Sequence, residues 1–400
     1  MTSAATQQRF PLFALLVISG AIFASVSSEF LPTGLLPDIA AELHVSVSQV
    51  GLLVTVFAMT VVISTVPLTA LTLRFSRKWL MVAMLGIVAC ANLLCALAPN
   101  YAFLAGARVL GGLAHGVFWS VTGPYATRIV ERRQLSRAVA VTQGGGSAAF
   151  VLGVPLGTAL GHALGWRLSF GVMAGVVLLL LVLVVVALPP VSHLIPLSTG
   201  EIAIPARRDK TLAALVIVAV TILLANLGQN TFFTYVVPWS RQVGGIPAVD
   251  VSALLFAYGL AGAVGLVIAG AFGDRFPRGA FLVLCGAAVV SIAGLALLAP
   301  GVPVAVAVGV MVWGVAWGGI PSLMHSRMQH SVSARLRDTA AAWVTIAFNT
   351  SIGGGALLGG VLLDRFGVQV LPWAEIAFVL AGIAFVIATD RRRMELHPQH

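Results

Sequence analysis

The chain has 400 residues, of which 59% are hydrophobic and only 9% charged. A soluble domain carries about 25% charged residues, so a water-soluble globule is excluded and lipid is the solvent of this surface. The net charge of +10 would fit a polyanionic partner, but its placement along the chain argues against nucleic acid.

A membrane-spanning helix needs about 20 apolar residues. Read in chain order, twelve spans are predicted at 11–37, 47–72, 78–98, 101–130, 136–164, 166–189, 211–241, 248–273, 279–299, 302–331, 336–363 and 371–390. The first exceeds the roughly 7–15 apolar residues of a signal peptide, so no cleavage is expected. Spans two and three are parted only by the stretch holding Arg74, Arg77 and Lys78. Residues 190–210 hold Pro190, Pro196, Pro205, Ser198, Gly200 and Arg207-Arg208-Asp209-Lys210. That composition reads as a linker. The expected organisation is a six-helix bundle at 1–189, a cytoplasmic linker at 190–210, and a second six-helix bundle at 211–400 with a short cytoplasmic tail. The fold class expected is all-α and integral to the membrane.

With the N-terminus inside, 19 of the 23 Lys and Arg residues fall in cytoplasmic segments; the others are Arg108, Arg167, Arg241 and Arg365. This positive-inside bias places both termini in the cytoplasm, and basic loops facing anionic lipid explain the charge. Cys90, Cys95 and Cys285 lie inside spans without a CxxC pair and are read as buried apolar filler. No HExxH, GxSxG or Walker sequence is present. The expectation is therefore no enzyme, no metal, no cofactor and no ATP-driven engine in this chain.

The second half echoes the first. Gly112 and Gly116 return as Gly314 and Gly318, and Gly157 and Gly165 as Gly359 and Gly367, an offset of 202 residues. Arg74-Phe75 returns as Arg275-Phe276. Parallel repeats of this kind build many secondary transporters around a site at the bilayer midplane.

Four stretches carry a family resemblance. Ser28 to Ala40 resembles the first-helix signature of sugar-efflux and drug/proton antiporters of the major facilitator superfamily. Arg108-Val109-Leu110-Gly111-Gly112-Leu113-Ala114-His115-Gly116 resembles that superfamily's fourth-helix arginine motif. Gly153-Val154-Pro155-Leu156-Gly157, continued by Gly161 and Gly165-Trp166-Arg167, resembles the fifth-helix motif of its antiporters. Gly270 to Arg278, with Asp274 and Arg275, is similar to its loop motif. The first-half copy of that loop departs, with Thr69 at the usual glycine and Leu73 at the usual aspartate. A latch between the bundles at that loop is therefore in doubt, and Asp274 would take the larger share. Ala114 to Ser120, Phe233-Thr234-Tyr235 and Asn349 to Leu358 look most like the sugar-efflux type. The resemblance implies a proton-coupled exporter of sugars or sugar-like solutes, with chloramphenicol-type drugs, multidrug substrates and nucleosides as alternatives. A non-transporting membrane receptor is a distant one. The direction of transport rests on the resemblance alone. The partners expected are a small molecule, protons and lipid, and the chain is expected to act as a monomer.

Glu29 lies 18 residues after Pro11, about 27 Å along a helix, and a carboxylate at membrane depth is a functional hypothesis by default. The other reading is a Glu that reaches periplasmic water. Arg108, at a similar depth, would pair with Glu29 or cap free carbonyls of a neighbouring helix. His115 shares a helical stripe with Arg108 and Trp119. It would relay protons, hydrogen-bond a sugar hydroxyl, or simply bond the next helix. The second bundle offers amides instead of acids: Asn226, Gln229 and Asn230 on one face of the seventh span, and Asn349 in the eleventh. Trp313 and Trp317 share a face of the tenth. Amides and aromatic rings suit a polyol; the alternatives are interhelical bonding for the amides and a lipid-facing position for the indoles. Gly34, Gly153 and Gly157 are expected to permit close packing, and Pro32, Pro37 and Pro155 to bend helices at gates.

Overall fold

The computed structural model describes residues 10–72, 74–131, 134–189, 209, 211–273, 275–333 and 336–396. All regular structure among them is helical: α1 (Leu12–Gly34), α2 (Leu36–Leu43), α3 (Val47–Thr72), α4 (Arg77–Ala96), α5 (Tyr101–Arg128), α6 (Leu135–Ala148), α7 (Val154–Leu164), α8 (Trp166–Ala187), α9 (Leu212–Phe233), α10 (Val236–Gln242), α11 (Val251–Phe272), α12 (Pro277–Leu298), α13 (Pro303–Ser331), α14 (Arg337–Phe366) and α15 (Leu371–Leu396). In hydrocarbon every backbone polar group must be satisfied inside its own segment, which a helix does. Among the described residues twelve helices are long and apolar enough to cross a bilayer, and they follow the twelve predicted spans. The second and third are separate, parted between Thr72 and Arg77.

The duplication is visible in the backbone. The first span ends at Gly34 and continues as the short α2, whose second residue is Pro37; the seventh ends at Phe233 and continues as α10, with Pro238 inside it. Gly165 turns the chain from α7 to α8 with φ 93°, and Gly367 turns it from α14 towards α15 with φ 80°. A left-handed φ costs glycine little and other residues a good deal, which is why glycine stands at both junctions.

Helices before residue 189 pack chiefly on one another, as do those after 211, and α3 against α14 is the broadest contact between the two groups. Ser48 donates to Asp364 Oδ2 at 2.8 Å and Thr55 to the Gly353 carbonyl at 2.9 Å along that seam. The fifth span is interrupted by a π turn at Ala149–Gly153, between α6 and α7. Turns of this type inside α-helices gather at functional sites. Cys95 and Cys285 are buried as expected, but Cys90 lies on the outer surface of its helix, because a single apolar side chain is as stable in lipid as in the protein core. Leu73, Asp274 and the linker, apart from Asp209, lie outside the described residues.

Candidate functional site

Glu29 is buried in α1 and faces His115 of α5. Its Oε2 lies 3.5 Å from His115 Nε2, while its Oε1 is buried without a hydrogen-bond partner. The Trp119 indole donates to the same His115 Nε2 at 2.8 Å. An indole N–H is a donor only, so in a neutral imidazole Nε2 accepts and Nδ1 carries the hydrogen, which goes to Ser25 Oγ at 2.9 Å. The spacing of four residues between His115 and Trp119 stacks them on one helix face, and Phe57 packs edge-on against the imidazole at 5.2 Å. An ionised Oε2 would set a lone pair against the Nε2 lone pair. A proton on Oε2 turns that contact attractive, whereas one on Nε2 would face the Trp119 N–H.

Arg108 is fully buried beside this site and supports it through the backbone. Nη1 donates to the Ser28 carbonyl at 2.8 Å and Nη2 to the Glu29 carbonyl at 2.7 Å. Its guanidinium lies 4.2 Å above the Phe57 ring. Of the two expected roles, capping the neighbouring helix is the one observed. Pro32 lies three residues beyond Glu29 and lacks the N–H that would bond the Ser28 carbonyl, so that carbonyl is open for Arg108. Ser28 Oγ donates to Asn92 Oδ1 at 2.9 Å and ties α1 to α4 as well.

The motif glycines act by close packing. A Cβ on Gly153 would meet Ser27 Oγ, one on Gly157 would meet Leu31, and one on Gly34 would meet Thr158. The fifth span can thus lie directly on α1, next to Glu29. Pro155 follows the π turn within one continuous span, and its missing N–H leaves a carbonyl of the preceding turn without its helical donor. Arg275 lies over Phe276, 5.4 Å from the ring centroid.

The second half departs from expectation. Asn226 and Asn230 donate to the carbonyls of Ile222 and Asn226, and Asn349 to that of Thr345, each at 2.8–3.0 Å. These amides turn back on their own helices, because the carbonyl one turn earlier is always within reach. They do not bridge helices. Gln229 diverges from Asn230: it donates to the Tyr258 hydroxyl of α11 at 3.1 Å, whereas Asn230 packs towards Gly355 of α14. Trp313 and Trp317 are buried, not lipid-facing, and both indoles donate to Glu375 Oε1 at 2.9 Å. The expectation of amides instead of acids in this half is therefore corrected by Glu375, a fully buried carboxyl of α15. Among the described residues no cluster of metal-ligating side chains is found.

Comparison with known proteins follows from this geometry. Residues 18–355 match the family described as Major Facilitator Superfamily. The chain is 34% identical over 361 residues to a chloramphenicol efflux pump of Mycobacterium tuberculosis, in two strains, covering 88% of this chain and 86% of the relative. It is 29% identical to a protein of Mannheimia succiniciproducens named "Probable sugar efflux transporter", covering 94% of this chain and 93% of that one. Two solved structures share the fold at 14% identity. One is a bacterial homologue of the human lysosomal transporter Spinster in an inward-facing, unoccupied conformation, with TM-score 0.70 and 95% of each chain covered. The other is a nucleoside transporter, with TM-score 0.72, 94% of this chain and 99% of the other.

Proposed function

The chain belongs to the major facilitator superfamily, and on that premise we propose that this secondary-active transporter is a proton-coupled exporter of small aromatic drugs of the chloramphenicol type. The observation that carries the coupling is the Glu29 Oε2 to His115 Nε2 contact of 3.5 Å, with Nε2 already taken by Trp119. One proton decides whether that contact attracts or repels, so proton uptake and release can be tied to the position of α1 against α5.

The substrate class is supported by two lines. The 34% relatives are chloramphenicol efflux pumps. In addition, the donors that would serve a polyol are already used: three Asn amides on their own helices and two indoles on Glu375. A solute presenting aromatic and apolar surface asks less of them than a sugar does. Sugar efflux, supported by the 29% relative, is the second reading.

The carrier proposed is one chain with two groups of six spans, 1–189 and 211–400, joined through a cytoplasmic linker at 190–210. Both termini lie in the cytoplasm of a cell-membrane protein. In that orientation the Ser48–Asp364 contact closes the periplasmic face. One charge moved inward across a potential of about 100 mV supplies about 2.3 kcal/mol. At about 1.4 kcal/mol per tenfold, that holds a gradient of roughly 40-fold for a neutral solute. The test is uptake by inverted vesicles carrying the protein, under an acid-inside pH gradient, of labelled chloramphenicol and a panel of sugars and nucleosides. Chloramphenicol uptake that collapses with a protonophore is expected; sugar uptake with none of chloramphenicol overturns the substrate assignment.

A further inference from the structure

Among the described residues, Glu29 and Glu375 are the only buried carboxyls, one in each half of the chain. Glu375 has no ion-pair partner among those residues. Both of its indole donors converge on Oε1, and Oε2 is buried with no hydrogen-bond partner at all. α9 comes so close to α15 at Gly228 that a Cβ there would meet the Glu375 carbonyl and Phe378.

The elements packed against α15 bring few charges to the site. α9 has no titratable residue, α12 has the buried Cys285, and α11 the Tyr258 phenol held by Gln229. On α13, His325 stacks on Phe348 of α14, 5.6 Å away. The arginines and aspartates of α12, α13 and α14 stand near helix ends. A buried charge without a counter-ion is costly, and orienting two indoles does not need one: a glutamine carbonyl would accept both N–H groups in the same place.

We propose that Glu375 is a second proton-binding carboxyl of this carrier, in which Oε1 is held by Trp313 and Trp317 and Oε2 takes the proton. Ionised, the carboxylate is stabilised by two charge-assisted indole bonds; neutral, it carries no buried charge that needs a counter-ion. The two states pull differently on Trp313, whose ring lies 5.1 Å from Phe232 and 6.0 Å from Phe233. Phe233 in turn meets Phe30, the neighbour of Glu29, at 6.2 Å. The second site therefore bears on the aromatic contact at which the two halves meet beside the first.

The proposal rests on the proton-coupled reading, but its test needs neither substrate nor Glu29. Protein in liposomes is titrated by infrared difference spectroscopy, following the C=O stretch of protonated carboxyls. In Glu29→Gln protein a titrating band at the high frequency of a carboxyl shielded from water is expected to remain, distinct from those of exposed carboxyls such as Glu42, and in Glu29→Gln/Glu375→Gln that band is expected to vanish. Glu29→Gln/Glu375→Asp is expected to keep a band at a shifted frequency, which guards against poor folding of the Gln variant. Tryptophan emission should change with pH in Glu29→Gln and lose that change when Glu375→Gln is added. A Glu29→Gln spectrum with no titrating band at that shielded-carboxyl frequency, or such a band that survives Glu375→Gln unshifted, overturns the proposal and leaves Glu375 as a fixed hydrogen-bond acceptor.

Discussion

Ser48 and Asp364 are 316 positions apart in the chain, yet the Ser48 hydroxyl donates to the Asp364 carboxylate at 2.8 Å. The bond joins the start of α3 to the last turn of α14, across the seam between the two halves. On the same seam, a Cβ on Gly51 would run into the Tyr235 hydroxyl. This end of the molecule is closed by direct contact of the halves.

That contact must open if export releases solute on this side. Cysteines at Ser48 and Asp364, bridged by a short thiol cross-linker, are expected to abolish export and to regain it on cleavage of the bridge. Export that continues while the bridge is intact would show that this end does not part during the cycle.

Glu29→Gln is expected to keep substrate binding and substrate exchange but to lose accumulation driven by a pH gradient, because an amide cannot give up or take a proton. Vesicles of the variant that accumulate substrate as wild type does would rule out this site. His115→Asn removes the imidazole that faces Oε2 and is expected to disturb the pH profile of export more than the substrate affinity.

Arg108 donates to two buried carbonyls, and Pro32 leaves that of Ser28 without its helical N–H donor. Arg108→Ala is expected to destabilise the protein, since an unsatisfied buried acceptor costs about 1–3 kcal/mol. Arg108→Lys should recover part of that, because an ammonium lacks the fork that serves two acceptors at once. Thermal unfolding in detergent, read for all three proteins, gives the order wild type, Lys, Ala; equal midpoints would remove the capping role.

Gly153→Ala places a methyl on Ser27 Oγ, and Ser27 is itself buried in α1. Overpacking of this kind costs about 1–3 kcal/mol. The variant is expected to lower the yield of folded protein, and Gly153→Ala/Ser27→Gly to restore it by vacating the space. No restoration in the pair would mean that the glycine serves the π turn rather than the contact with α1.

The orientation has its own test. A cysteine at Ser198 is expected to react with an impermeant thiol reagent only from the cytoplasmic side, since Arg207, Arg208 and Lys210 follow the positive-inside bias. Reaction from the periplasm alone would invert the whole assignment.

The sequence by itself determined the twelve spans, the repeat and the first carboxyl. Hydrophobic runs are local, so the twelve spans could be placed by composition, and the repeat by glycine pairs such as Gly165 and Gly367, 202 positions apart; the breaks that set α2 apart from α1 and α10 apart from α9 appear only in the folded chain. Glu29 stood out because a charge near the far end of an apolar run is rare. The tertiary structure alone decided what each polar group bonds to. Glu375 sits four residues inside its span, where it reads like a residue reaching for the membrane surface. Its partners, Trp313 and Trp317, are 62 and 58 positions away. The carbonyls capped by Arg108 are some 80 positions upstream, and a backbone acceptor leaves no trace in the residue type that carries it. The Asn amides fell the other way, spent on the carbonyl one turn back, because a short polar side chain in a helix takes the nearest acceptor unless packing brings another within about 3 Å. Hydrophobicity acts over a segment and survives in one dimension; a hydrogen bond needs distance and angle, and only the folded chain supplies them.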